Sequence, residues 1–298
     1  MIKLRQLFRY EQTSGLLMIA AIVLALLAAN SPLAPVYTLV HDTQIHFRFG
    51  ALILEGPLVH WINQGLMVIF FLIVGLEIKR QFLEGHLSTP RRAALPAFAA
   101  LGGILTPAAI YVGINWGDAA ALDGWAIPTA TDIVLAVSLL ALLGSRVPTS
   151  LKVFLTALAI FDDIAAVLII ALFYGETPPM IPLVTAVLAL TGLVVANRTR
   201  SVRPGVYTLL GAVLWVAMLK AGIEASLAGV LIALAVPLRV PGCHVPSPLR
   251  ATERRLHPWS TLVVVPLFAF FNAGIVIDAA SAGQLLDSVS IGIIAGLF

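Results

Sequence analysis

Long apolar runs separated by short polar stretches fill most of this sequence of 298 residues. Hydrophobic residues make up 60% of the chain and charged residues 11%, whereas soluble domains are about 25% charged. A soluble enzyme of this size would need far more charge to cover its surface. At about 30 residues for each membrane-crossing helix and its loop, the length allows about ten such helices. The composition therefore predicts an all-α polytopic membrane protein, with residues 1–298 forming a single integral membrane domain.

The apolar runs predict about nine complete helices and the start of a tenth near Val289. The complete helices are predicted at 14–30, 58–76, 93–114, 124–143, 151–174, 182–196, 206–219, 223–238 and 259–277. Several are shorter than the roughly 20 residues of a usual span, which is typical of helices packed inside a bundle or interrupted at mid-membrane. Residues 45–54 alternate apolar and polar side chains around Gly50. This alternation predicts a small β-hairpin, with a plain loop as the alternative.

The positive charges indicate the orientation of the chain. When the connections are assigned alternately to the two sides of the membrane, every lysine and arginine except Arg48 and Lys220 falls on one side. Lysine and arginine are enriched in cytoplasmic loops, so the asymmetry predicts a cytoplasmic N-terminus. The net charge of +3 is small and does not imply nucleic acid as a partner, whereas the apolar composition makes the lipid bilayer the expected partner.

Three carboxylates, Asp132, Asp162 and Asp163, lie deep inside apolar runs. Each costs about 2.5–3.5 kcal/mol at the centre of a membrane helix, and such residues commonly mark ion or proton pathways. The alternative is that they only hydrogen-bond neighbouring helices. Because adjacent residues point about 100° apart around a helix, Asp162 and Asp163 cannot face the same way. One can face a cavity while the other faces a buried cation on a neighbouring helix.

A proline precedes the first of these carboxylates in the segment 124–132, which reads GWAIPTATD. Pro128 removes a helical hydrogen bond, and Thr129, Thr131 and Asp132 bring oxygen atoms to the break. A helix interrupted in the membrane exposes carbonyls and half-helix ends that suit a small hard cation. The pattern predicts a cation site at this interruption. The alternative is an ordinary proline kink whose backbone groups are satisfied by neighbouring helices.

Buried carboxylates of this kind can hold either a proton or a small cation, and the two compete. If the site opens alternately to each side and moves only when occupied, the competition produces exchange. Two carboxylates can move more protons than cations in each cycle, which would make the exchange electrogenic. The sequence contains no G-x-x-x-x-G-K-[ST] loop and only one cysteine. It therefore predicts transport driven by a gradient, without a cofactor.

Six segments carry a more specific pattern: 70–80 (FFLIVGLEIKR), 124–133 (GWAIPTATDI), 143–148 (LGSRVP), 151–174 around its FDD centre, 220–230, and 256–274 (LHPW…PLFAFFNAG). Together they resemble the bacterial NhaA-type Na+/H+ antiporters. The resemblance implies an inverted-repeat helical bundle with an interrupted mid-membrane helix. It implies a secondary active transporter, not an enzyme, that exchanges cytoplasmic Na+ or Li+ for external protons in pH and sodium homeostasis. A homodimer joined through the hairpin, in the bacterial inner membrane, is implied as well.

The same resemblance implies individual roles. Asp132 and Asp163 match the carboxylates that bind Na+ and protons, and Thr131 lies at the unwound break beside them. Asp162 matches the carboxylate that pairs with a buried lysine. The candidates for a pH response on the cytoplasmic side are Glu77, Glu84, Glu253 and His257, with ordinary interfacial charges as the alternative.

Two departures from the family pattern affect these expectations. Gln64 stands where the family has an acidic residue, which would alter the pH response but not the cation site. The family has twelve helices, whereas this sequence stops within the tenth, at Phe298. A truncated, transport-inactive membrane fragment is therefore the alternative function. An intramembrane aspartate-dependent enzyme is a remote alternative, because the acids that a Mg2+ site needs do not follow Asp163.

Overall fold

The chain divides, in a computed structural model, into two compact units. The first comprises Met1–Arg80 and Tyr174–Ile275, and the second comprises Gln81–Phe173 and Val276–Phe298. The structure describes residues 2–50, 52–85, 87–129, 147–148, 150–151, 154–155, 157–158, 161–162, 165–166, 169, 173, 179–201, 203–238, 247–277, 283 and 286–298, with backbone only for 2–12, 49, 52 and 92.

Helices form nearly all of the described elements. In chain order these are α1 (Ile2–Ala29), α2 (Ala34–His41), β1 (Gln44–Phe49), β2 (Leu52–Pro57), α3 (Leu58–Trp61), a first π-helix (Ile62–Leu66), α4 (Met67–Glu84), α5 (Pro90–Ile114), α6 (Ala119–Leu122), a first 3-10 helix (Ile127–Thr129), α7 (Met180–Arg198), α8 (Pro204–Lys220), a second 3-10 helix (Ala225–Leu227), α9 (Ala228–Ala235), α10 (Pro248–Trp259), a second π-helix (Ser260–Val264), α11 (Val265–Asn272) and α12 (Ser288–Leu297).

Three described helices are long and apolar enough to cross a membrane: Leu58–Glu84, Ala93–Ile114 and Met180–Arg198. Helices α1 and α2 form a bent pair, with an angle of 114°, that adds a fourth span if the pair is counted as one. Shorter apolar helices lie at Pro204–Lys220, Ala225–Ala235 and Ser288–Leu297. The prediction of an all-α polytopic membrane protein is confirmed. The predicted inverted repeat and mid-membrane interruption depend on residues outside the described ranges.

The predicted hairpin is confirmed as an antiparallel pair whose register runs from Gln44 opposite Pro57 to Phe49 opposite Leu52. Gly50 has φ of 61°, a conformation that glycine adopts without the steric cost of a Cβ atom. This positive φ allows the tight turn that joins the two strands.

In the first unit, α4 and α9 pack at backbone distance. A Cβ atom on Gly229 would collide with the carbonyl oxygen of Val68 and would lie 2.7 Å from the amide nitrogen of Leu72. A Cβ atom on Gly75 would lie 2.7 Å from the Cβ of Ala233. Only glycine at 75 and 229 permits this close approach, which sets the separation of the two helices.

The helix predicted at 259–277 begins earlier than expected. Its polar first part is α10, which starts at Pro248 after the side chain of Ser247 accepts a hydrogen bond from Arg250 N. The chain then continues through the second π-helix into α11, which ends at Asn272. The apolar run predicted only the later part, because α10 is a polar helix outside the apolar segment.

The second unit packs α12 against α5 through two glycines. A Cβ on Gly292 would lie 2.6 Å from Nδ2 of Asn115, and a Cβ on Gly296 would lie 3.0 Å from the Cβ of Pro128. Tyr111 on α5 is fully buried, and its hydroxyl donates to the carbonyl of Ala121 at 2.8 Å. These contacts fix α12 beside the segment that contains Pro128.

Candidate functional site

The predicted helix break is described only at its beginning. Pro128 and Thr129 lie in the first 3-10 helix and are buried. The hydroxyl of Thr129 donates to the carbonyl of Ala126 at 2.7 Å, so this hydroxyl has a hydrogen-bond partner within its own segment. Thr131 and Asp132 lie outside the described residues, and their roles stay predictions.

The second acidic segment is described at one of its two aspartates. Asp162 is half-buried in helical backbone. The ring of the preceding Phe161 packs edge-on against Phe82 at a centroid separation of 5.9 Å. Asp163 lies outside the described residues, so the structure does not test whether it meets Asp132.

A half-buried group of ionisable side chains joins α4 to α10 in the first unit. We call Glu77, Arg80, Glu253 and His257 the carboxyl cluster. Arg80 Nη2 donates to Oε2 of Glu77 one turn earlier on α4, and it lies 3.3 Å from Oε1 of Glu253 on α10. The carboxyls of Glu77 and Glu253 are also in hydrogen-bond contact. Two of the four predicted pH-response residues, Glu77 and Glu253, are thus brought together around one guanidinium, and His257 lies within the electrostatic influence of Glu77.

Burial and neighbouring charges change the titration of the two α10 residues, which lie outside the membrane-spanning segments. Burial, followed by the hydrogen bond and the negative charge of Glu77, raises the pKa of Glu253 to about 7, and Arg80 opposes this rise. Burial lowers the pKa of His257, and the negative charge of Glu77 opposes this decrease. The carboxyl cluster therefore contains a carboxyl group that changes charge near neutral pH.

Arg80 was not predicted as a site residue from the sequence, although its spacing of three residues from Glu77 was a usable signal. Residues three apart on a helix are neighbours on its surface, so Arg80 could have been assigned as the partner of Glu77. Its contact with Glu253 joins residues far apart in sequence and had no local signal. The fourth candidate, Glu84, is the last residue of α4 and belongs to the second unit.

The sequence profile of the family described as Na+/H+ antiporter 1 matches residues 5–298. The chain belongs to this family. The match includes the carboxyl cluster and also the predicted site residues of the two acidic segments. The matched range thus contains Thr131, Asp132 and Asp163, which lie outside the described residues.

Relatives within the Na+/H+ antiporter 1 family include proteins named "Na(+)/H(+) antiporter NhaA". The protein of Shewanella sediminis (strain HAW-EB3) is 49% identical over 287 residues, which cover 96% of this chain and 71% of the relative. The protein of Shewanella sp. (strain ANA-3) is 50% identical over 294 residues, covering 99% and 75%. "Na(+)/H(+) antiporter NhaA 1" of Syntrophotalea carbinolica is 49% identical over 295 residues, covering 99% and 74%.

Proposed function

We propose that this protein exchanges cytoplasmic Na+ or Li+ for external protons across the membrane. The observation that carries the proposal is the family match over residues 5–298, supported by the names of relatives about half identical to this chain. More protons than cations move in each cycle, so the exchange is electrogenic. Its physiological role is in pH and sodium homeostasis.

The cation and the protons compete for Asp132 and Asp163 in this proposal. Carboxylate oxygens are good ligands for a small hard cation, and either carboxyl can instead bind a proton. Thr131 adds oxygen at the helix break, and Asp162 pairs with a cation on a neighbouring helix. The support is the cost of burying these carboxylates in the membrane, which transported charge can offset.

The carboxyl cluster is proposed to provide the pH response. Glu253 changes charge near neutral pH, and its position between Arg80 and Glu77 ties that charge to the geometry of α4 and α10. When Glu253 ionises, two carboxylates share one guanidinium, and their repulsion favours a change in the separation of the helices. We expect this change in helix separation to alter how readily Na+ reaches the cation site.

The proton gradient in everted membrane vesicles tests the exchange directly. The host strain should lack its own Na+/H+ antiporters, and a fluorescent weak base should report the gradient. We expect added Na+ or Li+ to collapse the gradient and K+ to leave it unchanged. Equal responses to Na+ and K+, or no response from a correctly inserted chain, would contradict the proposal.

Asp163→Asn should abolish the Na+ response while leaving the amount of protein in the membrane unchanged. Asp118→Asn is the matched control, because Asp118 caps the short helix α6 by accepting from Ala120 N and Ala121 N. Asparagine caps helices as well as aspartate does. The Asp118→Asn variant should therefore retain the Na+ response, although it also replaces an aspartate by asparagine.

The location and assembly are also proposals. We propose that the protein lies in the bacterial inner membrane with its N-terminus in the cytoplasm, as the lysine and arginine asymmetry indicates. We further propose a homodimer joined through β1 and β2, because strand edges pair readily with other strands. Phe47 is 45% exposed and Ile53 is 41% exposed on this hairpin. Deleting residues 45–56 should convert dimers to monomers in detergent, as measured by light scattering.

A further inference from the structure

The side chain of Gln64 joins the first π-helix to the beginning of α9. Its Nε2 donates to Oε2 of Glu224 at 3.1 Å, and its Oε1 accepts from the amide of Ala225 at 2.8 Å. The hydroxyl of Ser226 donates to the other oxygen of Glu224 at 2.8 Å. The indole of Trp215 on α8 donates to the backbone carbonyl of Gln64 at 2.6 Å. Both polar atoms of the Gln64 side chain are therefore used by the segment that leads into α9.

Lys79 makes a corresponding connection near the end of α4, about one turn beyond Gly75. Its Nζ donates to the carbonyls of Leu234 and Val236, both at 2.6 Å. The carbonyl between them, that of Ala235, accepts from Nδ2 of Asn197 on α7. The last carbonyls of a helix have no partner within it, and a cation there also interacts favourably with the helix dipole. Lys79 therefore fixes the C-terminal end of α9 to α4.

Between the connections at Gln64 and Lys79, α4 and α9 are in direct backbone contact. Gly229 and Gly75 leave no space for a Cβ atom between α4 and α9. Packed surfaces of this kind do not deform continuously, so sliding one helix along the other would break the polar contacts at both ends and the glycine fit together. A separation of the helices would have the same cost.

We infer that Gln64 and Lys79 are positioning residues that hold α4 and α9 together at both ends, so that the two helices move as one body during exchange. The inference rests on the proposed function. Neither residue is assigned to the cation site. Their effect is indirect, because α4 also carries Glu77 and Arg80 of the carboxyl cluster, and α9 would follow any movement of that cluster.

An exchange of the two side chains tests the connection at Gln64. Gln64→Glu places a second carboxylate against Glu224 and removes the amide donor. The double variant Gln64→Glu/Glu224→Gln keeps an amide and a carboxylate in contact with their positions reversed. Every hydrogen bond of the pair can then form again, including those with Ala225 N and Ser226.

We expect Gln64→Glu to lower the maximal exchange rate roughly tenfold, because losing one hydrogen bond to a charged group shifts the population by about that factor toward molecules in which α4 and α9 are separated. The apparent KM for Na+ should stay within about twofold, because ground-state binding of the cation is not affected. The double variant should recover most of the rate. Glu55→Gln, a carboxyl exposed on the hairpin, is the control and should match wild type. Failure of the double variant to recover would overturn the inference.

Thiol cross-linking tests separately whether α4 and α9 stay together during exchange. Gln64→Cys/Glu224→Cys is made with Cys243→Ser, which removes the chain's single native cysteine. The uncross-linked variant should be defective, and a short bifunctional thiol reagent should restore exchange by replacing the lost hydrogen bond. Loss of the remaining exchange after cross-linking would show that α4 and α9 must separate during the cycle, and would overturn the inference.

The thermal stability of the same variants is measured without transport. Gln64→Glu should lower Tm, and the double variant should recover it. A wild-type chain without Na+ response would contradict the proposed function alone, whereas an unchanged Tm in Gln64→Glu would contradict the connection between α4 and α9. The two failures are thereby distinguished.

Discussion

Arg80 Nη2 lies 3.3 Å from Oε1 of Glu253 while it also donates to Glu77, so one guanidinium bridges two carboxyls on different helices. The two carboxyls are in hydrogen-bond contact with each other. Interacting acids of this kind titrate as a group, and a proton held between them reduces their repulsion. The charge of the carboxyl cluster is thus connected directly to the packing of α4 against α10.

Glu253→Gln should make stability less sensitive to rising pH. The pKa of Glu253 in the folded protein is about 7, above its usual 4.5. Its stabilising contribution is therefore complete below pH 4.5 and is lost as the pH rises through 7. We expect the Tm of the glutamine variant to exceed that of wild type at pH 8, by a few °C, and the difference to shrink at pH 5. Tryptophan fluorescence in detergent can measure both values.

Glu55→Gln is the control for that comparison. Glu55 has a side chain that is 66% exposed and lies 3.5 Å from His46 across the hairpin. Its substitution should leave the pH dependence of Tm as in wild type. A constant Tm difference between wild type and Glu253→Gln from pH 5 to pH 8 would mean that the Glu253 carboxyl does not titrate in this range.

His257→Gln should have the opposite effect on the pH dependence. Burial lowers the pKa of His257 below its usual 6.5, so the unfolded chain takes up the proton first as the pH falls. The stabilising contribution of the neutral imidazole is present above pH 6.5 and is lost as the pH falls through the folded-state pKa. We expect the Tm of His257→Gln, measured relative to that of wild type at the same pH, to rise between pH 7 and pH 5. His46→Gln, on the exposed hairpin, should behave as wild type.

Gly229→Ala should destabilise the first unit. The added methyl would collide with the backbone of Val68, and backbone atoms cannot move aside as the end of a side chain can. Overpacking of this kind costs about 1–3 kcal/mol, which corresponds to a loss of Tm of about 2–4 °C for each kcal/mol. Gly205→Ala on α8 is the matched change, because a Cβ there meets no atom within 4 Å. An equal Tm for the two variants would contradict the close approach of α4 and α9.

Elements that depend on local patterns of residues could be predicted from the sequence. The hairpin followed from alternation around Gly50, and the long apolar helices followed from their hydropathy. The polar helix α10 was missed because it has no apolar run, although Ser247 followed by Pro248 is a usual beginning of a helix.

The partners of polar side chains were harder to predict than the elements. Glu77, Glu253 and His257 were named as pH-response candidates, but the interactions of Glu77 with Glu253 and His257 depend on the packing of α4 against α10. The contact between Gln64 and Glu224 joins residues 160 positions apart, and no local pattern indicates it. The cation site predicted at Asp132 and Asp163 stays a prediction, because both residues lie outside the described ranges.

In the second unit, Gly292→Ala should destabilise the protein more than Gly296→Ala does. The Cβ at Gly292 would lie 2.6 Å from Asn115 Nδ2 and 2.9 Å from Tyr111 Cδ2, and both side chains are buried. At Gly296 the nearest atoms are Pro128 Cβ at 3.0 Å and the carbonyl oxygen of Pro107 at 3.2 Å, and a shift of α12 by a few tenths of an ångström can relieve both contacts. We expect a cost of about 1–3 kcal/mol for the first variant and less than about 1 kcal/mol for the second. Thermal unfolding of both in one detergent checks the order, and the reverse order would show that α12 does not pack on α5 through Gly292.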